Sequence, residues 1–328
     1  MYDVICVGSS TIDVFAKTKF SELIKIMDSK GETDLLAYPT GAKILIEELN
    51  FTTGGGGTNA AVSLSRLGNK VAYLGKMGND ENSDFVIQSL KQEKVDSLAV
   101  CDKKGKTGYS IILDSINHDR TILTYKGSNN NLKFNEISIK KLKTKWFYFS
   151  TMLDESYDTL EKLAAFAKKN NIKIAFNASS YLAKKGFIFL KNILSKTDIF
   201  VLNKDEAELL TKKKNIKEQL KSINKSGAKI VVITDGKNNF YAFDGNYIYS
   251  SKPTKIKVIE TTGAGDAFAS SFLAGMIKKN NIEFALNLAS VNAESVVTHH
   301  GAKNKLLKYN EALIRAKKEK ICIKKEKI

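Results

Sequence analysis

Short runs of β-branched and aromatic residues alternate along this chain with longer stretches whose apolar residues recur at helical spacing. That alternation predicts parallel strands buried between helices, an α/β architecture with a mostly parallel sheet. Continuous apolar runs mark buried strands at Val4–Val7, Val71–Leu74, Trp146–Phe149, Ile172–Phe176, Ile199–Leu202 and Ile230–Thr234. Amphipathic stretches predict helices over Asn59–Leu67, Ser83–Glu93, Ser156–Lys169, Asp205–Thr211, Ile216–Lys225 and Ala264–Lys278, and from Ile282 to about His299. Two segments break the rhythm, from about residue 15 to 53 and from about 107 to 125. In the second, Tyr109–Leu113 and Thr121–Tyr125 flank the polar turn Ile116-Asn117-His118-Asp119-Arg120, which is hairpin chemistry. Strands outside the βα alternation predict a small sheet appended to the main one. Within the first segment, Phe20–Met27 reads as an extra helix-like piece.

Composition narrows the classes. The chain has 328 residues, enough for one large α/β domain or two smaller ones, and 43% apolar content supports a substantial core. No apolar run reaches the length of about 18 residues that a membrane span requires. The strand-like Val4–Val7 follows the start directly, with neither a basic region nor a cleavage site, which argues against a secretory leader. Cys6, Cys101 and Cys322 are few, odd in number and widely spaced, as expected of thiols in a reducing cytoplasm. The net charge of +17 suggests a nucleic-acid partner, but the positive charge is nearly all lysine. Only Arg66, Arg120 and Arg315 are arginine, the residue best suited to phosphate and base-edge recognition. The lysines are spread over most predicted helices, so solvated faces account for them. The Lys-rich end from Arg315 to Ile328 reads as a fraying helix and tail.

The chemistry concentrates in glycine-rich loops that open helices. Glu260-Thr261-Thr262-Gly263-Ala264-Gly265-Asp266 runs straight into an amphipathic helix. Unpaired N–H groups at such a terminus attract anions, and glycines let a phosphate come close. A carboxylate there suits a base that takes a proton from a hydroxyl beside the anion site; taken alone, Asp266 equally serves to offset the helix dipole. A second glycine loop, Thr53-Gly54-Gly55-Gly56-Gly57-Thr58-Asn59, also enters a helix, which Gly68 ends. The first strand leads to Asp13, and Ile199–Leu202 to Asn203-Lys204-Asp205-Glu206. The strand Ile230–Thr234 leads to Thr234-Asp235-Gly236. In a parallel sheet ligands gather beyond these carboxyl ends. Asn203 and Glu206 form a hard-oxygen pair suited to Mg²⁺, although a capping Asn followed by acids describes many helices. Gly105-Lys106-Thr107 mimics the end of a Walker A loop, but Val100 stands where that loop needs glycine, and no G-x-G-x-x-G follows the first strand.

Together the two glycine segments resemble the signatures of the ribokinase-like (PfkB) carbohydrate kinase family, and the motifs follow family order across nearly the whole chain. The resemblance implies a ribokinase-like three-layer sandwich over residues 1–320, with a β-lid from about 15–53 and 107–125 and a basic tail at 321–328. It implies an ATP-dependent kinase of a small sugar, with a nucleoside kinase or a catalytically silent sugar-binding protein as alternatives. By the same resemblance, Asp266 is the base and Gly263, Ala264 and Gly265 form the anion hole. Asp13, Gly55, Gly56, Asn59 and Asp154 hold the sugar; Asn203, Thr234 and Gly236 meet the nucleotide. Glu206 serves Mg²⁺. Glu260 and Thr262 fall in a monovalent-cation (K⁺) site, where Glu260 replaces the usual Asp. Asn239 replaces a usual glycine after Gly236. Free lid edges make a homodimer an expectation; neither nucleic acid nor membrane is an expected partner.

Overall fold

The computed structural model describes residues 1–18, 22–28, 31–114, 120–254, 256–299, 301–319 and 321–328. Every apolar run read as a buried strand lies in one 10-stranded sheet. Across it the order is Lys324–Lys327, Tyr247–Ser251, Phe240–Phe243, Ile230–Thr234, Ile199–Asn203, Lys173–Asn177, Thr144–Phe149, Tyr2–Val7, Val71–Leu74 and Asp96–Ser97. From Ile230–Thr234 to Asp96–Ser97 every pairing is parallel. Strands covered on both faces need no polar alternation, which is why these runs are continuously apolar.

Helices cover both faces, giving three layers. Helices Gly56–Arg66, Ala264–Lys279 and Ile282–Val296 pack on one side, around Leu64, Phe272 and Leu288. Asp154–Lys169, Gly186–Leu194, Lys204–Thr211 and Ile216–Lys225 pack on the other, around Leu160, Leu190 and Leu220. A second, 4-stranded sheet joins Arg120–Tyr125, Gly108–Asp114, Thr11–Lys17 and Glu48–Gly54. This is the expected lid. Its register aligns Thr52, Asp13, Ser110 and Thr124 in one row, so Asp13 sits in a polar stripe on one face. The turn residues 115–119 lie outside the described residues.

Two segments differ from expectation. The helix-like Phe20–Met27 is a strand over its described part: Glu22–Asp28 pairs antiparallel with Gly31–Ala37. Leu23-Ile24-Lys25-Ile26-Met27 carries no helix-start signal, and Gly31–Ala37 supplies a ladder that local pattern cannot reveal; Phe20 itself lies outside the described residues. The Lys-rich end is also not frayed. After the helix Tyr309–Lys318, Lys324–Lys327 adds an edge strand beside Tyr247–Ser251. Lys325 stacks 4.3 Å from the Tyr247 ring centroid, and Lys217 pairs with Glu326 at 2.7 Å. Lysines on an outer strand deter further pairing.

A buried polar seam runs between the helices on the first face. The Ser270 hydroxyl donates to Ser63 Oγ at 2.7 Å, and Asn292 Nδ2 donates to Ser271 Oγ at 2.7 Å. Asn292 Oδ1 accepts the Leu307 N–H at 2.8 Å. Asn292→Ala strands the Leu307 N–H, and buried groups left without partners cost roughly 1–3 kcal/mol each. Urea denaturation of this variant is expected to show a loss of that size; unchanged stability would mean the seam contributes nothing.

Candidate active site

The first strand ends in Gly8-Ser9-Ser10, and the four-glycine loop packs directly on that turn. Gly57 N–H donates to Ser9 O at 3.1 Å. Gly55 has φ +95°, and a Cβ there would fall 2.5 Å from Ser9 O, so only glycine fits. Asp13 lies against the Gly54 backbone and is only 9% exposed. It accepts from the Thr11 hydroxyl at 2.8 Å. Burial raises its pKa; bonds from Thr11 and Ser110 and the charge of Lys303 oppose the rise.

Asp266 sits in the first turn of Ala264–Lys279, opposite this loop. Its Oδ2 accepts from Asn59 Nδ2 at 2.9 Å, and a Cβ on Gly56 would fall 3.5 Å from its Oδ1. Burial lifts the carboxyl to about 6, while the Asn59 bond and Lys303 restrain the rise. Asn59 Oδ1 and Ser150 Oγ are buried without protein partners. Ser150 Oγ lies within 3.2 Å of the Gly56 Cβ position, on the same glycine as Asp266 Oδ1. Buried polar atoms are normally satisfied, and a hydroxylated ligand would satisfy these.

The glycines of the loop that opens Ala264–Lys279 differ in their surroundings. Gly263, with φ +78°, is wedged against Ala302, whereas a Cβ on Gly265 would meet nothing within 4 Å. Space for an anion therefore opens over Gly265. The Ala264 N–H turns back to Thr261 O at 3.2 Å, so among the described residues Gly263 and Gly265, not Ala264, keep N–H groups free of a protein acceptor.

Asn203 and Glu206 do form a capping box: Asn203 Oδ1 accepts Glu206 N–H and Glu206 Oε2 accepts Asn203 N–H, each at 2.8 Å. Yet burial holds the Glu206 carboxyl up at about 7, and the charge of Asp266 adds to the shift. Thr234 is the register partner of Asn203, and Gly236 turns at φ +51° just beyond it. Lys204 pairs with Asp235 at 2.9 Å and closes that turn. Asp154 has φ +51°, and its carboxylate accepts from Asn130 at 2.7 Å in an exposed contact. Glu260 is 9% exposed and accepts Gly301 N–H at 2.9 Å, while Thr262 Oγ1 is buried and unpartnered. A cavity of about 630 Å³ runs beside this cluster, between the Asp13 face of the lid and residues 257–260; it is lined by Thr52, Glu260 and Gly301 but not by Asp13 or Asp266.

Sequence reasoning missed Lys303. Its ammonium donates to Thr53 Oγ1 at 2.8 Å and Thr58 Oγ1 at 3.1 Å, beneath the glycine loop. Burial depresses it to about 7, while Asp13, Glu93 and Asp266 pull it upward. Nothing in its local spacing separates it from the chain's many other lysines.

Residues 1–308 match the model of the pfkB family carbohydrate kinases. The chain belongs to that family. It is 31% identical over 290 residues to a 5-dehydro-2-deoxygluconokinase of Clostridium botulinum, covering 81% of this chain and 85% of that one. It is 26% identical over 309 residues to a Staphylococcus aureus ribokinase, covering 92% and 95%. An Arabidopsis thaliana ribokinase structure complexed with ribose and ATP superposes with a TM-score of 0.78 at 18% identity, covering 96% of this chain and 99% of that one. A structure from Escherichia coli holding ATP and Mg²⁺ gives 0.81 at 17%, covering 97% and 100%. These likenesses establish a ribokinase-like fold for the kinase. Among its described residues no helix is long and apolar enough to cross a membrane.

Because the Lys303 charge favours ionised Asp266, removing it must raise the Asp266 pKa. In Lys303→Met the acidic limb of the kcat/KM profile, expected near pH 6 in the parent, moves upward by roughly 0.5–1 unit. A limb that stays in place would show that Lys303 does not act on Asp266.

Proposed function

We propose that this ATP-dependent carbohydrate kinase phosphorylates a hydroxyl of a small sugar, with Asp266 as general base. The observation that carries the reading is the Asn59–Asp266 hydrogen bond beside the open helix terminus at Gly265. It sets a part-buried carboxylate between a sugar-side amide and an anion-side loop. Asp13, the Gly55–Gly56 backbone and Asn59 hold the sugar, and its hydroxyl donates to Asp266. As that proton passes to Asp266, the oxygen attacks the γ-phosphorus in line, and the bond to the ADP oxygen breaks. N–H groups at Gly263 and Gly265 stabilise the charge on the migrating phosphoryl group. Thr234 and Gly236 face the nucleotide, together with Asn203.

Glu206, whose half-buried carboxylate gains a reason to ionise once a cation is near, would hold Mg²⁺, and the ion would supply charge neutralisation for the phosphates. K⁺ fits the Glu260 carboxylate and the orphaned Thr262 hydroxyl. The outer lid face supports a homodimer: Phe51, Ile111 and Leu123 lie in one register row and are exposed, opposite the face that bears Asp13.

Asp266→Asn is expected to lower kcat by ~10²–10⁴, the range for loss of a general base, with ATP binding retained. An ADP-release assay checks it, and a near-parental kcat would remove Asp266 from the role. For the cation, rates are compared in K⁺, Na⁺ and a bulky organic cation at fixed ionic strength. K⁺ is expected to stimulate, and Glu260→Asp to deepen the dependence, because the shorter side chain leaves more room for the ion. Equal rates in all three salts would eliminate the cation site.

A further inference from the structure

Lys126 has no part in the mechanism above, yet it stands beside the sugar site. It ends the lid strand Arg120–Tyr125, and its charge interacts with Asp13. The backbone beneath it is pinned. Asn129, three residues on, donates to Ser10 O at 2.8 Å and accepts Ser10 N–H at 2.9 Å, on the loop that leads to Asp13. Gly127 turns at φ +53°, where a Cβ would fall 2.2 Å from Lys106 O. The side chain then reaches across to the main domain, where its ammonium lies 5.3 Å from the Tyr181 ring centroid.

That ring is its sole close partner among the described residues. Among the described residues no carboxylate lies within ion-pair distance of it, and no oxygen accepts a hydrogen bond from it. The neighbouring cation differs: Lys303 is bonded to Thr53 and Thr58, and its charge offsets Asp13 and Asp266. Lys126 is thus a surplus charge, partly desolvated, with its donors unused. Burial pushes the ammonium below its usual range, and Asp13 only partly restores it. A neutral polyol would be held by Asp13 and Asn59 and would leave this cation unanswered. An anion arriving with the sugar would answer it.

Resting on the sugar-kinase reading above, we propose that the acceptor is an anionic sugar, whose carboxylate or phosphate is bound by Lys126 while Asp13 and Asn59 take its hydroxyls. Tyr181 holds the ammonium by its ring face, and the paired Asn129 bonds fix the turn from which it projects. The lid therefore carries a charge-selective contact as well as a cover.

The test compares six-carbon aldonates and deoxy-keto-aldonates with the matching neutral sugars and the matching sugar monophosphates. Binding is read by calorimetry without ATP, and turnover by ADP release. One anionic class is expected to bind and turn over at least about tenfold better than its neutral counterpart, as for a charge-assisted hydrogen bond. Which class does so identifies the anion. Lys126→Met is expected to abolish that advantage through KM, with the KM for ATP unchanged, and Lys126→Arg to retain it. Neutral sugars bound as well as the anions, an advantage that survives Lys126→Met, or an effect on ATP alone would each overturn the proposal. Sugar anions that bind through Lys126 while no sugar of any class consumes ATP would support this contact and sink the kinase reading instead.

Discussion

The hydrogen bond from Asn59 to Asp266 joins residues separated by 207 positions in the chain. Each end opens a helix at a glycine loop, and the two helices pack side by side on one face of the sheet. The Ser63–Ser270 contact repeats the junction one turn deeper, where the Ser270 hydroxyl also reaches Asp266 O at 2.6 Å. The two glycine loops are therefore held in fixed relation by neighbouring polar contacts, not by the sheet alone. Proximity of base, acceptor and phosphoryl donor is the main thing such a site supplies, and errors of an ångström are costly. A junction this distant in sequence forms only when most of the fold is in place.

The segment after Ile282–Val296 ties the remaining parts to that junction. Ala302 abuts Gly263, Gly301 N–H bonds Glu260, and Lys303 reaches under the glycine loop. Arg66 clasps the same segment through Lys303 O and Leu306 O at 3.2 and 3.0 Å, while holding Glu93 at 2.6 Å. One short stretch of chain touches the loop that leads to Asp266, the candidate cation site and the four-glycine loop together.

Much of this was legible because the signals were local. Continuous apolar runs such as Ile230–Thr234 can only be buried strands in this context, and the two glycine loops, each ambiguous alone, point to one family when read together. The errors arose where partners are distant. Leu23–Met27 fits either periodicity, and only Gly31–Ala37 decides in favour of a strand. Lys324–Lys327 is fully exposed and carries no apolar mark, so its pairing with Tyr247–Ser251 left no trace in composition. Lys126 and Lys303 were invisible for the same reason: among so many lysines, only the folded chain shows which ones turn inward.

The cluster of Asp13, Asp266 and Lys303 also bears on the stability of the empty protein. Burial raises the Asp266 pKa to about 6, so its ionisation works against folding as pH rises through that value. It depresses Lys303 to about 7, so protonation there works against folding as pH falls through that value. Between about 6 and 7 both charges are present, and each partly relieves the other. The cleft around the proposed base thus keeps the unliganded fold below the stability the same scaffold could reach, a cost that active sites commonly carry. A bound substrate, by satisfying Asn59, Ser150 and the base, would return part of it as thermal protection.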